Sequence, residues 1–387
     1  MIQKITSLLL SAIIIASCSS KQTESNIIRV DDAKQTRLNL SDYVVSLEYV
    51  PLETKQECLI DRFPSFVVLN EYIIATTQRQ CFLFDRSGKF IREIGSVGRG
   101  PDEYSSTLGR EAINEKKQTV LMQGWDKRIE YSFNGNVTGS FLRVPETSST
   151  TAYASDNILV QGVLNYRGNA INQLVFTDQE KIVDSIPNYQ FFKSLDSNSS
   201  GGFGGEFNFY RYHDDLYYKN MFNDTIFRIK DMKLHPVWVF DMGNYHLPRS
   251  IMANINTSRE EIIKYNWMQN VFEADPFILF SLTRERGDST FVYDKHKSQV
   301  FVIQKELNLK GFYNNIDGGM PFWPTHINQK QEMVSFLYPY EMKEMLTNDY
   351  FKQKSINDNN AHLRLKELLS KVNDEDNPVV VIAKLKL

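Results

Sequence analysis

A short phrase recurs along this chain: an aromatic residue, polar positions, a tight turn, then alternating apolar residues. It reads Phe84-Asp85-Arg86-Ser87-Gly88-Lys89-Phe90-Ile91, and again Tyr131-Ser132-Phe133-Asn134-Gly135-Asn136-Val137. Looser copies occupy 176–182, 227–234 and 293–300, so the anchors step by 47, 45, 51 and 66 residues. Hairpins repeated at such a period mean small stacked sheets, the blades of a β-propeller. The Gly and polar residues at each turn are those a tight hairpin demands. The expected fold class is therefore all-β.

Dividing the chain by this frame gives blade 1 as strands at 66–69, 72–75, 81–84 and 90–94. Blades 2 to 5 then end near Phe141, Ile186, Phe240 and Ile303. The chain finishes on Pro378 followed by a β-branched run, 379–387, and earlier strands are expected at 27–30 and 43–52. A last strand paired with an N-terminal one closes the ring and removes its open edges, giving six blades. Two segments break the strand pattern. Ser258-Arg259-Glu260-Glu261 reads as a capping box, with Ile263, Trp267 and Val271 at helical spacing, so the expectation is a helix over 259–273 that accounts for the 66-residue step. A second helix is expected over 361–372, and both are placed as short insertions on the propeller rim.

The start of the chain is a leader. Lys4 precedes a 12-residue apolar stretch, 5–16, too short to span a bilayer. It ends in Ile15-Ala16-Ser17-Cys18, which has the form of a bacterial lipobox. The expectation is a signal peptide over 1–17, lipidation of Cys18, a polar tether over 18–26 and one propeller domain over 27–387. Acyl chains on Cys18 anchor such a protein to a membrane. The absence of Asp after Cys18 favours the outer membrane, with periplasmic or surface orientation left open.

A net charge of −3 offers no basic footprint for nucleic acid. The 25 Phe and 19 Tyr favour strands and supply a large core, consistent with a monomer. Cys58 and Cys81 are placed on the first and third strands of blade 1, and either a disulfide or two buried thiols fits the sequence.

After the last strand of blade 1 comes Gly95-Ser96-Val97-Gly98-Arg99-Gly100-Pro101-Asp102-Glu103-Tyr104. This linker, together with the lipobox, Asn223-Asp224-Thr225-Ile226-Phe227, Trp238-Val239-Phe240-Asp241-Met242-Gly243 and Asn377-Pro378, resembles the six-bladed β-propeller lipoproteins of gut-type Gram-negative bacteria. Those proteins are similar in turn to NHL-repeat propellers. The resemblance implies the fold and brings no agreed catalytic residues.

Three segments are candidate contact sites. In the linker, Gly98 and Gly100 permit positive φ and close backbone approach, and Arg99, Asp102, Glu103 and Tyr104 either meet a ligand or build a blade-to-blade corner. In the run 201–212, Tyr210, Arg211 and Tyr212 either form a stacking platform or alternate along a half-buried strand. Trp323, in the aromatic loop 317–324, caps either the channel or the core. No zinc spacing, nucleophile elbow or phosphate loop is present. The expected function is binding of a glycan, a peptide or an envelope protein at the propeller face, without a cofactor. A calcium ion held by carboxylates from several blades, serving a lactonase-like hydrolase or a lyase, is the alternative. A scaffold for an envelope complex is a third.

Overall fold

The computed structural model describes residues 26–194, 205–253, 257, 259–284 and 287–386. The expected leader and tether up to residue 25, Cys18 included, residues 201–204 of the glycine run and Ser258 lie outside the described residues.

The apolar runs pair as six small sheets. Blade 1 is Ser65–Val68, Tyr72–Thr76, Cys81–Asp85 and Phe90–Glu93. Blade 2 is Ser106–Thr107 with Ile113–Asn114, then Thr119–Gln123, Lys127–Ser132 and Val137–Leu142. Its first strand is split by a 3-10 turn, Arg110–Ala112. Blade 3 is Thr147–Ser155, Ile158–Val163, Asn172–Thr177 and Ile182–Pro187. Blade 4 is Phe207–Tyr212, Asp215–Asn220, Thr225–Lys230 and Lys233–Asp241. Blade 5 is Trp267–Glu273, Phe277–Arg284, Gly287–Asp294 and Gln299–Ile303. Blade 6 takes His326–Ile327, Glu332–Leu337 and Val379–Leu385 from the C-terminal part and its outer strand from the N-terminal part.

The packing shows that these sheets form a closed ring. Six buried apolar clusters fill the six interfaces, blades 1 with 2, 2 with 3, 3 with 4, 4 with 5, 5 with 6 and 6 with 1. The cluster between blades 2 and 3 is the smallest, built on Leu108, Leu121, Phe141, Tyr153 and Leu159. Buried tyrosines reinforce the joints by donating to carboxylates. Tyr153 reaches Glu130 of blade 2 (2.8 Å), Tyr210 reaches Glu273 of blade 5 (2.8 Å), and Tyr43 reaches Asp294 of blade 5 (3.0 Å).

The N-terminal part wraps the outside of the ring. β1 (Asn26–Arg29) adds a parallel strand to the outer edge of blade 4, and β2 (Lys34–Thr36) does the same to blade 5. β3 (Val44–Pro51) then pairs antiparallel with Val379–Leu385 and completes blade 6. Asn377 locks this closure. Its side chain donates to the carbonyls of Glu53 (2.7 Å) and Cys58 (2.9 Å) and accepts from the Ile60 amide (3.0 Å). Next to it, Gly88 turns blade 1 with φ +87°, and a Cβ there would lie 2.3 Å from the Pro51 carbonyl oxygen.

Two expectations change. The helix expected over 259–273 is one turn, α1 (Arg259–Ile262), and Trp267–Glu273 is the innermost strand of blade 5. The spacing 263, 267, 271 is also an even one that a strand satisfies, and a register shift between Met268 and Asn270 then puts Met268 and Val271 together in the core between blades 4 and 5. The extra length before blade 5 is this turn plus two 3-10 turns, Gly243–Tyr245 and Arg249–Ala253. Cys58 lies in the 3-10 turn Gln56–Cys58 and not on a strand, while Cys81 opens the third strand as expected. Both thiols are free and buried, Cys58 in the joint of blades 6 and 1 and Cys81 in that of blades 1 and 2. They pack on opposite faces of one sheet, which keeps them apart.

The second helix is present as α4 (Asn359–Lys371), with Asp358 capping the amides of Asn360 and Ala361. It lies inside blade 6, between its second and third strands, and follows α2 (Pro339–Met345) and α3 (Asn348–Lys352), which pack with it in one apolar cluster.

Candidate functional site: the central channel

Every blade begins with its innermost strand, and these strands run in one direction around the axis. Their C-terminal ends and the turns that follow gather at one face. There they enclose a funnel of about 590 Å³ lined from blades 1, 2, 3, 4 and 6. Tyr72 and Phe133 supply aromatic wall, and Glu71, Glu115, Asp156 and Asp214 place acids at the turns. Several of these groups are held in place. Glu115 accepts from the Asn70 amide (2.6 Å), and Asp156 accepts from the Asn114 side-chain amide (3.3 Å).

The inner end of the funnel has a different character. Arg110, Arg211, His326 and Ile327 line both the funnel and a constriction of about 10 Å³ beneath it, so they form its floor. A space of that size admits no more than about one water. Arg110 comes from the 3-10 turn that splits the first strand of blade 2, and it donates to the Thr325 carbonyl. Its guanidinium also lies 5.6 Å from the centre of the Phe272 ring. Arg211 donates to the carbonyls of Tyr153 and of Asp214, the latter at 3.2 Å. His326 is pushed down to about 3, first by burial and then by the Arg110 charge, so its imidazole is neutral near pH 7. The result is a polar funnel that narrows to guanidinium groups at its inner end, with acids around the mouth. Among the described residues, no group of three or more His, Cys, Asp or Glu converges as a metal site.

The residues singled out from sequence separate into three places. Tyr210 and Arg211 sit on the innermost strand of blade 4, and Arg211 enters the funnel. Tyr210 is buried with its hydroxyl spent on Glu273, while Tyr212 donates to Asp275 (3.0 Å), which also meets His213 (2.6 Å). Trp323 stacks on Phe312, centroids 6.1 Å apart, against the core of blades 5 and 6.

Arg99, Asp102, Glu103 and Tyr104 lie at the opposite face, where the last strand of blade 1 hands over to blade 2. Tyr104 is fully buried, donates to the Arg79 carbonyl (3.0 Å) and meets Tyr131 edge-on. Tyr131 in turn donates to the Asp102 carbonyl (2.7 Å), and Arg99 lies 5.4 Å over the ring of Trp125. Of the two roles expected of Gly98 and Gly100, close approach is met at Gly98 and positive φ at neither. Gly95 is the residue with positive φ (+69°), whereas a Cβ on Gly98 would fall 1.8 Å from Glu103 Oε2. That oxygen accepts from the Gly100 amide (2.7 Å), so Gly98 is needed for close approach of the Glu103 carboxylate.

Arg110, His326, Glu115, Asp156 and Asp214 escape a sequence reading. Glu115, Asp156 and Asp214 become visible only once the blade frame is laid down, at the first turns of their blades, while Arg110 and His326 come from the innermost strands of blades 2 and 6.

The fold and this funnel define a six-bladed β-propeller with a candidate binding site in its channel. The chain belongs to the family described as "Domain of unknown function (DUF4934)", which matches residues 25–384. No curated protein matches it significantly. A Bacteroides fragilis protein named as a candidate exported protein shares the fold at TM-score 0.70 and 19% identity, over 94% of this chain and all of that one. More distant are the Pan2 WD40 domain of Neurospora crassa (TM-score 0.34, 12% identity, 64% of this chain and 65% of that one) and a candidate 6-phosphogluconolactonase of Bacteroides fragilis (TM-score 0.32, 15% identity, 62% and 68%). No helix among the described residues is long and apolar enough to cross a membrane.

Proposed function

We propose that this propeller is an outer-membrane lipoprotein, anchored through Cys18, whose channel mouth binds a polar ligand bearing an anionic group, such as an acidic glycan or a peptide carboxylate. The observation that carries the reading is the funnel of about 590 Å³ that narrows at Arg110 and Arg211. Guanidinium forks suit planar oxyanions, and a partly dry floor strengthens the pairing. Tyr72 and Phe133 offer ring faces to a sugar or side chain above it. The lipobox and the exported character named for the fold neighbour support the envelope assignment. The likeness to NHL-repeat propellers belongs to the same reading.

The test is a thermal-shift and calorimetric screen of the chain lacking residues 1–18 against acidic oligosaccharides, neutral oligosaccharides, peptides and calcium. A ligand at 100 times its Kd stabilises by about 2.7 kcal/mol. The expected result is a shift with acidic ligands that Arg211→Gln abolishes, the shift being taken for each protein relative to its own unliganded midpoint, since Arg211 also bonds the Tyr153 carbonyl. A calcium-dependent shift reversed by EDTA would favour the hydrolase reading. No shift with any of them would leave a scaffold for envelope proteins.

A further inference from the structure

The strand order gives the ring two unlike faces. Turns from first to second strand, and hairpins from third to fourth, gather at the funnel; turns from second to third strand and the links between blades gather at the opposite face. Fifteen large apolar side chains stand exposed among the described residues. Five of them, Ile182 included, lie on outermost strands, ten lie on connections at the opposite face, and none lies on a funnel-side turn. Single apolar residues are ordinary on a surface, but ten against none between the two ends is a polarity of the molecule.

The exposed rings are spread around that face. Phe63 (91% exposed) leads into blade 1, Trp125 (54%) turns blade 2, Tyr189 (81%) and Phe191 (61%) follow blade 3, and Tyr340 (48%) lies in the first turn of α2. Phe63 is held at φ +61°, in the left-handed region that a bulky residue rarely adopts. A ring so exposed gains no packing that would offset the strain. Arg99 lies 5.4 Å over the ring of Trp125, and Arg143 donates to the Trp125 carbonyl, so two exposed guanidinium groups flank this indole. Indole and phenol rings favour the level of lipid headgroups, where arginines meet phosphates.

We propose that this face docks on the lipid headgroups of the membrane that holds Cys18, with the funnel turned away from the bilayer; the proposal rests on the Cys18 anchor proposed above. The entry of the chain suits it. Asn26 pairs with Trp238, three residues before the outer strand of blade 4 ends at Asp241 on that face. It therefore stands about 10 Å from the level of the face. Residues 18–25 can span up to about 27 Å, enough for the anchor to sit in the bilayer beneath it. A tether this short keeps the face at high effective concentration beside the lipid, so shallow burial of a few rings is enough.

The experiment takes the chain from residue 19 with a hexahistidine tag in place of Cys18. It is held on phosphatidylethanolamine and phosphatidylglycerol vesicles through a nickel-chelating lipid, which keeps the tether whether or not cells lipidate Cys18. Tryptophan emission is compared on ordinary lipid and on lipid brominated near the top of its acyl chains. Bromine is expected to quench wild type, and Trp125→Phe clearly less. Removing one phenyl ring that enters the lipid weakens docking about tenfold or more, so Phe63→Asn combined with Phe191→Ser should cancel the quenching. Asn suits the positive φ at 63, so this variant should keep its thermal midpoint in solution. Ile182→Ser, on an outer strand, should be quenched as wild type is. No quenching in wild type, quenching kept by the double variant, or an equal loss with Ile182→Ser would overturn the docking face. A failure of the Cys18 anchor would instead show as a soluble native protein, and a failure of the funnel as missing ligand shifts, so the three results stay separate.

Discussion

Replacing Asn377 by Ala tests how the ring is closed. The side chain is 4% exposed and makes three bonds, to the carbonyls of Glu53 and Cys58 and from the Ile60 amide. It thereby ties the strand that ends the chain to the segment that follows β3. Truncation leaves two carbonyls and one amide without these partners. A buried polar group stranded in this way costs about 1–3 kcal/mol. Partial access of water through the vacated space lowers the sum, so the expected loss is about 3 kcal/mol. That is a large share of a total stability of roughly 5–15 kcal/mol. Urea unfolding followed by tryptophan fluorescence measures it, with the midpoint falling and the slope unchanged. Asn360→Ala, at an exposed position in the first turn of α4, serves as the control and should change little. A loss below about 1 kcal/mol for Asn377→Ala would show that the closure rests on strand pairing alone.

Two further outcomes are expected. Gly98→Ala should cost about 1–2 kcal/mol, the worth of the Glu103 bond to the Gly100 amide that the new methyl displaces, and Glu103→Ala should remove the extra penalty of the methyl in a double-mutant cycle. The depressed His326 makes stability depend on acid: the unfolded chain takes up a proton as pH falls below about 6.5 while the folded chain refuses it until about 3. Stability is therefore complete above 6.5 and declines toward 3, by at most about 1.4 kcal/mol per pH unit. His326→Gln should flatten that stretch relative to wild type, and identical pH profiles for the two proteins would refute the assignment.

The repeat was legible because of where its anchors fall. Phe84, Tyr131, Phe176, Phe227 and Tyr293 all sit on the third strand of their blades, and the phrase is the hairpin joining third strand to fourth. Copies are sharp where glycine makes the turn, as at Gly88 and Gly135. They are faint where Asp231, Met232 or Ser298 adopts positive φ instead. A sixth copy is missing for a topological reason, since the third strand of blade 6 pairs with β3 and no hairpin connects them. The funnel was mostly hidden. Arg211 could be noticed at the end of an aromatic strand, but Arg110 and His326 come from the short or broken first strands of blades 2 and 6, which carry no alternation to read. The false helix arose because residues four apart share a face of a strand as well as of a helix.

The course of β1, β2 and β3 over three blades sets an order of events for folding. Asn26 pairs with Trp238, Lys34 with Phe301 and Pro51 with Val379, so each of these strands waits for a partner made far later in the chain, β3 longest. Contacts so distant in sequence form slowly, because loop closure precedes any gain from pairing. Until then the N-terminal strands are bare edges, the kind of surface that chaperones cover and that neighbouring chains capture. A protein built this way emerges vulnerable and is secured strand by strand, with β3 last.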